Sequence, residues 1–340
     1  MARKKGVSSA QKVTLIDVAK IAGVSPITVS RVIREPDKVI SGTRDRVLAA
    51  IKSSGYIPNM LAGSLASNKS FLVAILIPTI ANSILSQTVQ AIIDALSLKN
   101  YQTIIGLTNY NKQTEENLVK TLLSRRPDGV VLVGTDHTQE TRLCLKQSGI
   151  PVIEAWDLSN DPIQHMIGFS HEKIGYDTAN YLHKKGYKNI SILTANDQRG
   201  LRRANSALDT LHDLGVKEVC MEIIPVPATI ESGRMGLQHI LEKKMSTDAI
   251  MCSSDTLAQG VFIEAAFRRI NIPEDLAVIG FGDMNFASHL MPKLSSIQIN
   301  GHYIGEQIAQ TLLNVWENKD KLAAPIYLDT GFKIIERESS

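Results

Sequence analysis

The feature that most constrains this chain is a long alternation of short apolar runs with amphipathic stretches, which begins near residue 71. The first apolar run, at 73–78, has the length of a buried strand, and 87–98 carries apolar residues at helical spacing. The alternation continues to residue 154, and a second series covers 172–280. Apolar strands separated by helices are typical of parallel sheets covered on both faces. Two such series predict two doubly wound α/β subdomains.

In the first series the expected strands are 73–78, 102–107, 129–133 and 151–154, and the expected helices are 87–98, 115–124 and 138–147. In the second series the expected helices are 172–184, 203–214, 232–243 and 257–269, and the expected strands are 189–194, 221–225, 248–252 and 276–280.

The beginning of the chain predicts a small all-helical module instead. Thr14 is a good N-cap for a first helix, and Gly23 permits the positive φ of a tight turn. Ser25 caps a second helix whose first residue is a proline, and a third helix is expected over 43–54. A helix, a short glycine turn and a second helix form the helix-turn-helix signature. The residues expected to face the shared core are Leu15, Val18, Ala19, Ile21, Val29, Val32, Ile33, Val47, Leu48 and Ile51.

Charge is distributed unevenly between these two parts. Residues 1–69 carry twelve Lys or Arg against four Asp or Glu, a net charge of +8, whereas the other 271 residues carry −5. A small basic module joined to a mildly acidic body is typical of a protein that binds nucleic acid.

In a helix-turn-helix, the second helix lies in the major groove with its first residues at the base edges. Arg31 on the outer face can donate two hydrogen bonds to guanine, and its alternative role is a phosphate contact. Ile27 offers only apolar contact, for example to a thymine methyl group. The residues of this module predicted to contact DNA are Thr14, Ser25, Pro26, Ile27, Thr28, Ser30 and Arg31.

Two motifs resemble the LacI/GalR family of repressors. They are Thr-Leu-Ile-Asp-Val-Ala-Lys-Ile-Ala-Gly-Val-Ser-Pro-Ile-Thr-Val-Ser-Arg-Val-Ile at 14–33 and Gly-Tyr-Ile-Pro-Asn at 55–59, the second followed by Ala62 and Leu65. The resemblance extends over almost the whole chain. It implies a hinge helix, starting near Asn59, that orders only when two copies meet on DNA, with Leu65 as a wedge that enters the minor groove. The alternative is that Leu65 packs on the three-helix core.

The resemblance also implies that the α/β part is a two-lobed sensor domain like a periplasmic binding protein, with chain crossings near Gly168, Ile299 and Ile326. The expected domains are a helix-turn-helix DNA-binding domain at 1–57, a hinge helix and linker at 58–70, and an effector-binding and dimerisation domain at 71–340. Within the last domain the N-lobe would comprise about 71–167 and 299–326, and the C-lobe about 168–298 and 327–340.

Ligands of such folds bind beyond the carboxyl ends of the strands, where this chain has loops rich in hydroxyl, amide, carboxylate and guanidinium groups. Trp156 can stack on a sugar or pack near the hinge, and Asp157 and Asp255 can accept ligand hydroxyl groups or cap the helices that follow. The predicted effector-binding residues are Asn82, Trp156, Asp157, Ser170, Arg199, Arg203, Asp255 and Asp283.

By the resemblance, Arg203 stands where the family has its ligand arginine. A Ser-Ala pair replaces the Gly-aromatic pair expected after it, so Arg199 and Arg202 are rivals. Gly282 stands where sugar-binding members often carry an acidic residue, and the loss of that carboxylate favours an acidic ligand. The segment 152–157 and the middle of the chain are most similar to the gluconate-utilisation repressors. The prediction is a DNA-binding repressor of a carbohydrate-utilisation operon, released from its operator by a sugar acid such as gluconate.

The alternatives are a regulator that responds to a neutral sugar or to a corepressor and, from a different class, a solute-binding carrier protein, which the helix-turn-helix disfavours. A homodimer on a pseudo-palindromic operator is expected, since no leucine heptads follow the last strand. No cofactor and no metal is expected.

Enzyme function is disfavoured, because the chain has none of the GxGxxG, GxxxxGK[ST], GxSxG or HExxH motifs in a suitable place. The three cysteines, Cys144, Cys220 and Cys252, are far apart and fit a reduced compartment. Without a signal peptide or an apolar run of ~18 residues, a cytoplasmic protein is expected. The sequence leaves open the effector, the sign of its effect, the operator, and which arginine contacts the ligand.

Overall fold

A computed structural model provides the structure of this protein. The residues it describes are 13–57, 69–81, 83–243, 245–317 and 324–340. The chain divides into two compact units, 1–70 and 71–340. Within the described ranges, no helix combines the length and the apolar character that a membrane crossing requires.

The helices of the first unit are α1 (Leu15–Ala22), α2 (Pro26–Arg34) and α3 (Ser41–Ser54). A capping box starts α1: the Thr14 hydroxyl donates to the Asp17 carboxylate at 2.6 Å and accepts from the Asp17 backbone N–H at 3.3 Å. Gly23 ends α1 in the left-handed conformation, with a φ of 65°, which a side chain would disfavour. These contacts confirm the predicted helix-turn-helix.

One valine from each helix is fully buried at the centre of this unit, and these are Val18, Val29 and Val47. Two residues expected in the core lie outside it, since Ile21 is 58% exposed and Leu48 is 48% exposed. Ala22 and Ala50 are buried instead. Short helices around so small a core bury only a narrow stripe, and the larger residue near each alanine falls beside that stripe.

The N-lobe of the second unit contains the strands β1 (Leu72–Ile77), β2 (Gln102–Leu107), β3 (Gly129–Val133), β4 (Val152–Ala155), β5 (His165–Gly168) and β11 (Tyr327–Asp329). Its helices are α4 (Ser86–Ser97), α5 (Lys112–Leu123), α6 (Gln139–Gln147) and α11 (Gly301–Glu317). The strands form one parallel sheet in the order β11-β5-β4-β3-β1-β2. Alternate residues of β1 pack against α4 and α11 on one face and against α5 on the other, so the strand is buried.

The C-lobe contains the strands β6 (Ile190–Ala195), β7 (Met221–Ile224), β8 (Ala249–Cys252), β9 (Ala277–Gly282), β10 (Ser295–Gln298) and β12 (Lys333–Ile335). Its helices are α7 (His171–Lys184), α8 (Gln198–Asp213), α9 (Ile230–Glu242) and α10 (Asp255–Arg268). The sheet order is β12-β10-β9-β8-β6-β7, and only β12 pairs antiparallel within the described sheet. The two doubly wound lobes predicted from the sequence are confirmed.

Within the described residues, the chain passes between the lobes at three places: from β5 to α7, from β10 to α11, and from β11 to β12. The third crossing lies beyond Asp329 and corrects the expected position at Ile326. Tyr327 pairs with Met166 and Asp329 with Gly168, so the chain is still in the N-lobe sheet at these residues. A three-residue strand without an apolar run gives no periodic signal in the sequence.

Aromatic packing joins the lobes beside these crossings. Phe169 is fully buried. Its ring lies edge-on to Trp156 of the N-lobe, with centroids 5.6 Å apart, and is tilted against Phe281 of the C-lobe at 6.3 Å. The loops that follow the strands of both lobes converge next to these rings. The fold therefore brings together the polar loop residues that the sequence places far apart.

Candidate functional sites

The outer face of α2 is available for contacts with a partner. Ile27 is 71% exposed, and Pro26 and Arg31 are also exposed, whereas Val29 and Val32 face the core. Among its described side chains, this face presents apolar surface at the start of the helix and the Arg31 cation further along it, as a helix that lies in the major groove would.

Polar side chains at the start of α1 and α2 are held by local hydrogen bonds. Ser25 caps α2 by accepting from the Thr28 backbone N–H at 3.2 Å, and the two hydroxyl groups lie 2.9 Å apart. Thr14 is exposed at the start of α1, and Ser30 is half-buried. Asn59 and Leu65, which the resemblance assigns to the hinge helix, lie outside the described residues.

A cavity of about 60 Å³ lies between the two lobes of the second unit. The N-lobe contributes loop residues after β1, β2 and β4, and the C-lobe contributes the starts of α7 and α8 and the ends of β8 and β9. The polar and aromatic residues that line it are Thr79, Tyr110, Trp156, His171, Asp197, Arg199, Arg203, Ser253, Ser254 and Phe281. It therefore lies at the carboxyl ends of the strands, where ligands of doubly wound folds bind.

Arg203 is the buried cation of this cavity, with only 5% of its surface exposed. Its guanidinium lies 3.9 Å from the centroid of the Phe281 ring and donates to His171 Nδ1 at 2.8 Å and to the Ser253 carbonyl at 3.1 Å. Its Nε–H has no hydrogen-bond partner. Burial lowers the pKa of Arg203 to about 10, so the group remains charged at neutral pH.

His171 links Arg203 to the opposite lobe. Its Nδ1 accepts from Arg203, so its Nε2 carries the proton and donates to the Trp156 carbonyl at 3.0 Å. Burial, followed by the Arg203 charge, lowers the pKa of His171 well below its usual value, which keeps the ring neutral. The sequence interpretation chose the neighbouring Ser170 and missed His171 as a site residue. The available signal was a histidine beginning a helix directly after a buried strand.

Arg199 adds a second cation to the cavity, and Asp197 adds the one carboxylate among its described lining residues. Asp197 caps α8 by accepting from the Gly200 backbone N–H at 3.0 Å, and it lies 4.0 Å from Arg199 Nε. With His171 neutral, Arg199, Arg203 and Asp197 leave the lining with a net charge of +1.

Trp156 lines the cavity through its ring and is 3% exposed. Its indole N–H donates to the Thr88 hydroxyl at 2.9 Å, and that hydroxyl donates to the Gly301 carbonyl at 2.8 Å. Trp156 therefore both packs near the chain crossings between the lobes and presents an aromatic surface to the cavity. Asn82, another predicted effector residue, lies outside the described residues.

Ser170 lines a separate open groove of about 700 Å³, and Asp157 lines none of the described cavities but bonds to Thr135 and Arg202 of that groove. Asp157 is fully buried, accepts from Thr135 at 3.0 Å, and forms an ion pair with Arg202. Arg202 also pairs with Glu172 at 3.3 Å. Burial raises the pKa of Asp157, and the Arg202 charge opposes that rise. The predicted site residues therefore do not all share one cavity. Trp156, Arg199 and Arg203 line the interlobe cavity, whereas Ser170 lines the open groove.

Asp255 and Asp283 line none of the three described cavities. Asp255 is fully buried, accepts from the Ser296 hydroxyl and from the Met284 backbone N–H, both at 2.6 Å, and has a pKa raised to about 6 by burial. Asp283 accepts from Gln298 at 2.8 Å and forms an ion pair with Arg337 at 2.7 Å. Both carboxylates hold β9 and β10 together rather than facing the cavity. Within the described part of the chain, no His, Cys, Asp and Glu side chains are grouped so as to hold a metal ion.

Comparison with known proteins identifies the family. Residues 14–59 match the bacterial regulatory proteins of the lacI family, and residues 179–340 match a periplasmic binding protein-like domain. The HTH-type transcriptional regulator GntR of Pseudomonas aeruginosa is 32% identical over 99% of this chain and 98% of its own length. This chain belongs to the LacI family.

Other relatives agree with this LacI-family assignment. The HTH-type transcriptional regulator IdnR of Escherichia coli is 30% identical over 95% of this chain and 97% of its own. A LacI-family regulator from Silicibacter pomeroyi superposes with a TM-score of 0.90 at 32% identity, covering 96% of this chain and 99% of that one. The lac repressor dimer bound to operator has a TM-score of 0.81 at 23% identity, covering 97% and 99%, and shares the fold. The LacI-family protein is a transcriptional regulator and not an enzyme.

Proposed function

We propose that this LacI-family protein is a sequence-specific repressor of a carbohydrate-utilisation operon, and that a small sugar acid such as gluconate releases it from its operator. One observation carries the choice of an acid: the Arg203 guanidinium is buried in the interlobe cavity and has no carboxylate within 4.0 Å among the described residues.

A buried charge without a counter-ion destabilises a protein by several kcal/mol. A ligand carboxylate in the cavity would remove that penalty for Arg203. The unpartnered Nε–H and the neighbouring Nη groups form a planar fork that suits two parallel hydrogen bonds to a carboxylate. A neutral sugar could accept hydrogen bonds there but would leave the charge uncompensated.

The hydroxyl groups of such an acid need acceptors, and the cavity lining supplies them. Asp197 and the Thr79 hydroxyl lie at its wall, with Trp156 as an aromatic surface beside them. Asp157, Ser170 and Asp255 were predicted from the sequence for this role, but they are engaged elsewhere. We therefore assign the hydroxyl contacts to Asp197 and Thr79.

The ligand acts on DNA binding through the segment 58–70, which we assign as the hinge. A ligand that bridges the lobes favours one relative position of the lobes, and that position sets the spacing of the two hinge segments in a dimer. To move a two-state population from 1:99 to 99:1, the ligand must favour one state by about 5.5 kcal/mol. Two carboxylate hydrogen bonds to a desolvated guanidinium are of the strength this requires.

The repressor acts, on this proposal, as a cytoplasmic homodimer formed through the second unit. Ile263 and Phe267 lie one turn apart on α10 and are 42% and 76% exposed, which gives that helix an apolar outer stripe. A dimer with two-fold symmetry would bind a pseudo-palindromic operator. Light scattering at micromolar concentration is expected to give twice the chain mass, and a tetramer would contradict this part.

Isothermal titration of the full chain against gluconate, galactonate, glucose and ribose tests the effector. An operator duplex is first selected with the protein from a random pool, and its affinity is measured with each ligand present. We expect the two acids to bind and to weaken operator binding. If glucose or ribose binds and neither acid does, the acid assignment is wrong. If gluconate binds and strengthens operator binding, the site stands and the sign of the switch is reversed.

A further inference from the structure

A second chamber, of about 190 Å³, adjoins the interlobe cavity. The two share four lining residues: Pro78 and Tyr110 from the N-lobe, and Asp197 and Arg199 from the C-lobe. These four residues therefore form the boundary between an inner chamber and an outer chamber. Tyr110 has the largest side chain of the N-lobe half of this boundary.

The backbone fixes Tyr110 in this position. The preceding Asn109 donates to the Pro78 carbonyl at 3.0 Å, and the following Asn111 donates to the Thr108 carbonyl at 3.0 Å. Asn111 also caps α5 by accepting from the Thr114 backbone N–H at 2.9 Å. Asn109 and Tyr110 have φ values of 53° and 57°, a conformation that asparagine tolerates but that is costly for the bulky tyrosine. Strain of this kind persists where the surroundings enforce it, which is common at ligand sites.

The two chambers differ in charge and polarity. The inner chamber has the net positive lining of Arg199, Arg203 and Asp197. The outer chamber is lined by the amides of Asn111, Asn196 and Gln198 and by five charged side chains, two cations and three carboxylates, which give it a net charge of −1. The charged residues are Lys112, Glu115, Asp136, Asp197 and Arg199. An acid that occupied both would place its carboxylate inside and a chain of hydroxyl groups outside. Burial and then the Asp197 charge raise the pKa of Tyr110, so its hydroxyl stays protonated at the boundary.

We propose that Tyr110 determines which shape of sugar acid the protein binds: its ring narrows the passage between the chambers so that an open-chain acid passes and a sugar ring does not. This inference rests on the proposed acid effector, and it adds that the acid has an open chain and not a ring. An open chain can cross the boundary one carbon at a time. A ring would have to occupy the space of the Tyr110 side chain.

The test compares gluconate, an open-chain acid, with glucuronate, a six-carbon acid of the same charge that is mainly cyclic. Isothermal titration gives both affinities for the full chain and for Tyr110→Phe, Tyr110→Ala and Tyr176→Ala. Tyr176 is the matched control, because it is a 55% exposed tyrosine on α7 that lines none of the described cavities. Thermal denaturation confirms that each variant is folded. If Tyr110→Ala is not folded, Tyr110→Leu is used in its place.

We expect the wild type to prefer gluconate by about tenfold or more. Tyr110→Phe and Tyr176→Ala should keep that ratio, and Tyr110→Ala should lower it by about tenfold, chiefly by admitting glucuronate. If gluconate binds and Tyr110→Ala keeps the ratio, the role of Tyr110 is wrong while the acid effector stands. If Tyr110→Phe loses the preference for gluconate over glucuronate, the hydroxyl group and not the bulk of the ring distinguishes the two acids. That result would also overturn the inference. If the wild type binds neither acid, this inference and the proposed effector both fail.

Discussion

Arg202 and Arg203 are consecutive residues of α8, yet their guanidinium groups lie in opposite surroundings. Arg202 faces the open groove and is paired with two carboxylates, Asp157 and Glu172. Arg203 faces the interlobe cavity and has a neutral histidine, a carbonyl oxygen and an aromatic ring around it. Arg202 therefore lies in a charge-compensated region that holds the two lobes together, whereas Arg203 lies in an uncompensated region that is available to an anion.

The largest expected effect is on the uncompensated side. Arg203→Gln should weaken gluconate binding by about 4 kcal/mol, roughly a thousandfold, because a ligand carboxylate would lose the buried cation of the described cavity lining. The free energy of unfolding should stay constant or rise, since the variant removes a buried unpaired charge. Titration calorimetry and urea denaturation measure the two quantities.

Arg125→Gln is the matched control for that variant, because Arg125 is an exposed arginine outside the described cavities. It should change neither quantity. A large loss of stability in Arg203→Gln would contradict the comparison, since it would make Arg203 a structural cation like Arg202.

The compensated side should respond in the opposite way. Arg202→Gln leaves the fully buried Asp157 carboxylate without its cation, and we expect the free energy of unfolding to fall by about 3 kcal/mol. The double variant with Asp157→Asn should recover part of that loss, because the unpaired charge is removed. Urea denaturation of the single and double variants gives the coupling. No recovery in the double variant would show that the pair is not the source of the effect.

Two buried histidines extend the comparison to pH. His137 in the N-lobe lies 2.6 Å from Glu115 and 3.4 Å from Glu154. Burial lowers its pKa, but the two carboxylates more than offset this and raise the pKa of His137 to about 9. His171 lies 3.9 Å from the Asp157 carboxylate, which is already paired with Arg202, and burial and the Arg203 charge lower the pKa of His171 so that it is neutral.

The sign of the pH effect follows from these shifts. Because the folded-state pKa of His137 exceeds its unfolded value of 6.5, its stabilisation is complete below pH 6.5 and is lost as the pH rises toward 9. The loss should reach up to about 3 kcal/mol. Urea denaturation at pH 6, 7, 8 and 9 should show this slope in the wild type, and His137→Gln should flatten it. An equal slope in both proteins would rule out His137 as its source.

His171 should act in the other direction. Its folded-state pKa is lowered, so its contribution is present above its unfolded pKa and is lost as the pH falls below that value.

The smallest expected effect belongs to an exposed cation. Arg31 on α2 is solvent-exposed, unlike Arg202 and Arg203 of α8. Arg31→Ala should reduce discrimination at one base pair in each half-site by about 1–2 kcal/mol. Binding to the selected operator and to single-base variants of it measures this. Equal weakening on every sequence would make Arg31 a phosphate contact.

The sequence predicts the regular elements of this protein well because their signals are local. Apolar runs located most strands within a residue or two, and caps such as Thr14 and Ser25 located helix starts. The short strands β5 and β10 to β12 lacked such signals, since pairing with distant strands and not composition defines them. The third lobe crossing was misplaced for the same reason.

The candidate site was harder to predict because it depends on which face each residue occupies. The sequence placed the start of α8 at 203, whereas Asp197 caps it and the helix begins at Gln198. Recognising that cap would have put Arg199 and Arg203, which are four residues apart, on one face of a helix, and it would have shown that the consecutive Arg202 and Arg203 face different sides. Partners from the other lobe, such as the Trp156 carbonyl for His171, belong to the tertiary fold alone.

The three chain crossings between the lobes have a mechanical consequence. A single connection would let the lobes twist and slide as well as open, whereas three side-by-side connections leave rotation about one axis as the easy motion. The two lobes therefore open and close about one axis and do not rotate in all directions relative to each other. When a small ligand binds near this axis, the edges of the lobes that are far from the axis move in one fixed direction. Little of the binding free energy is then lost to other motions.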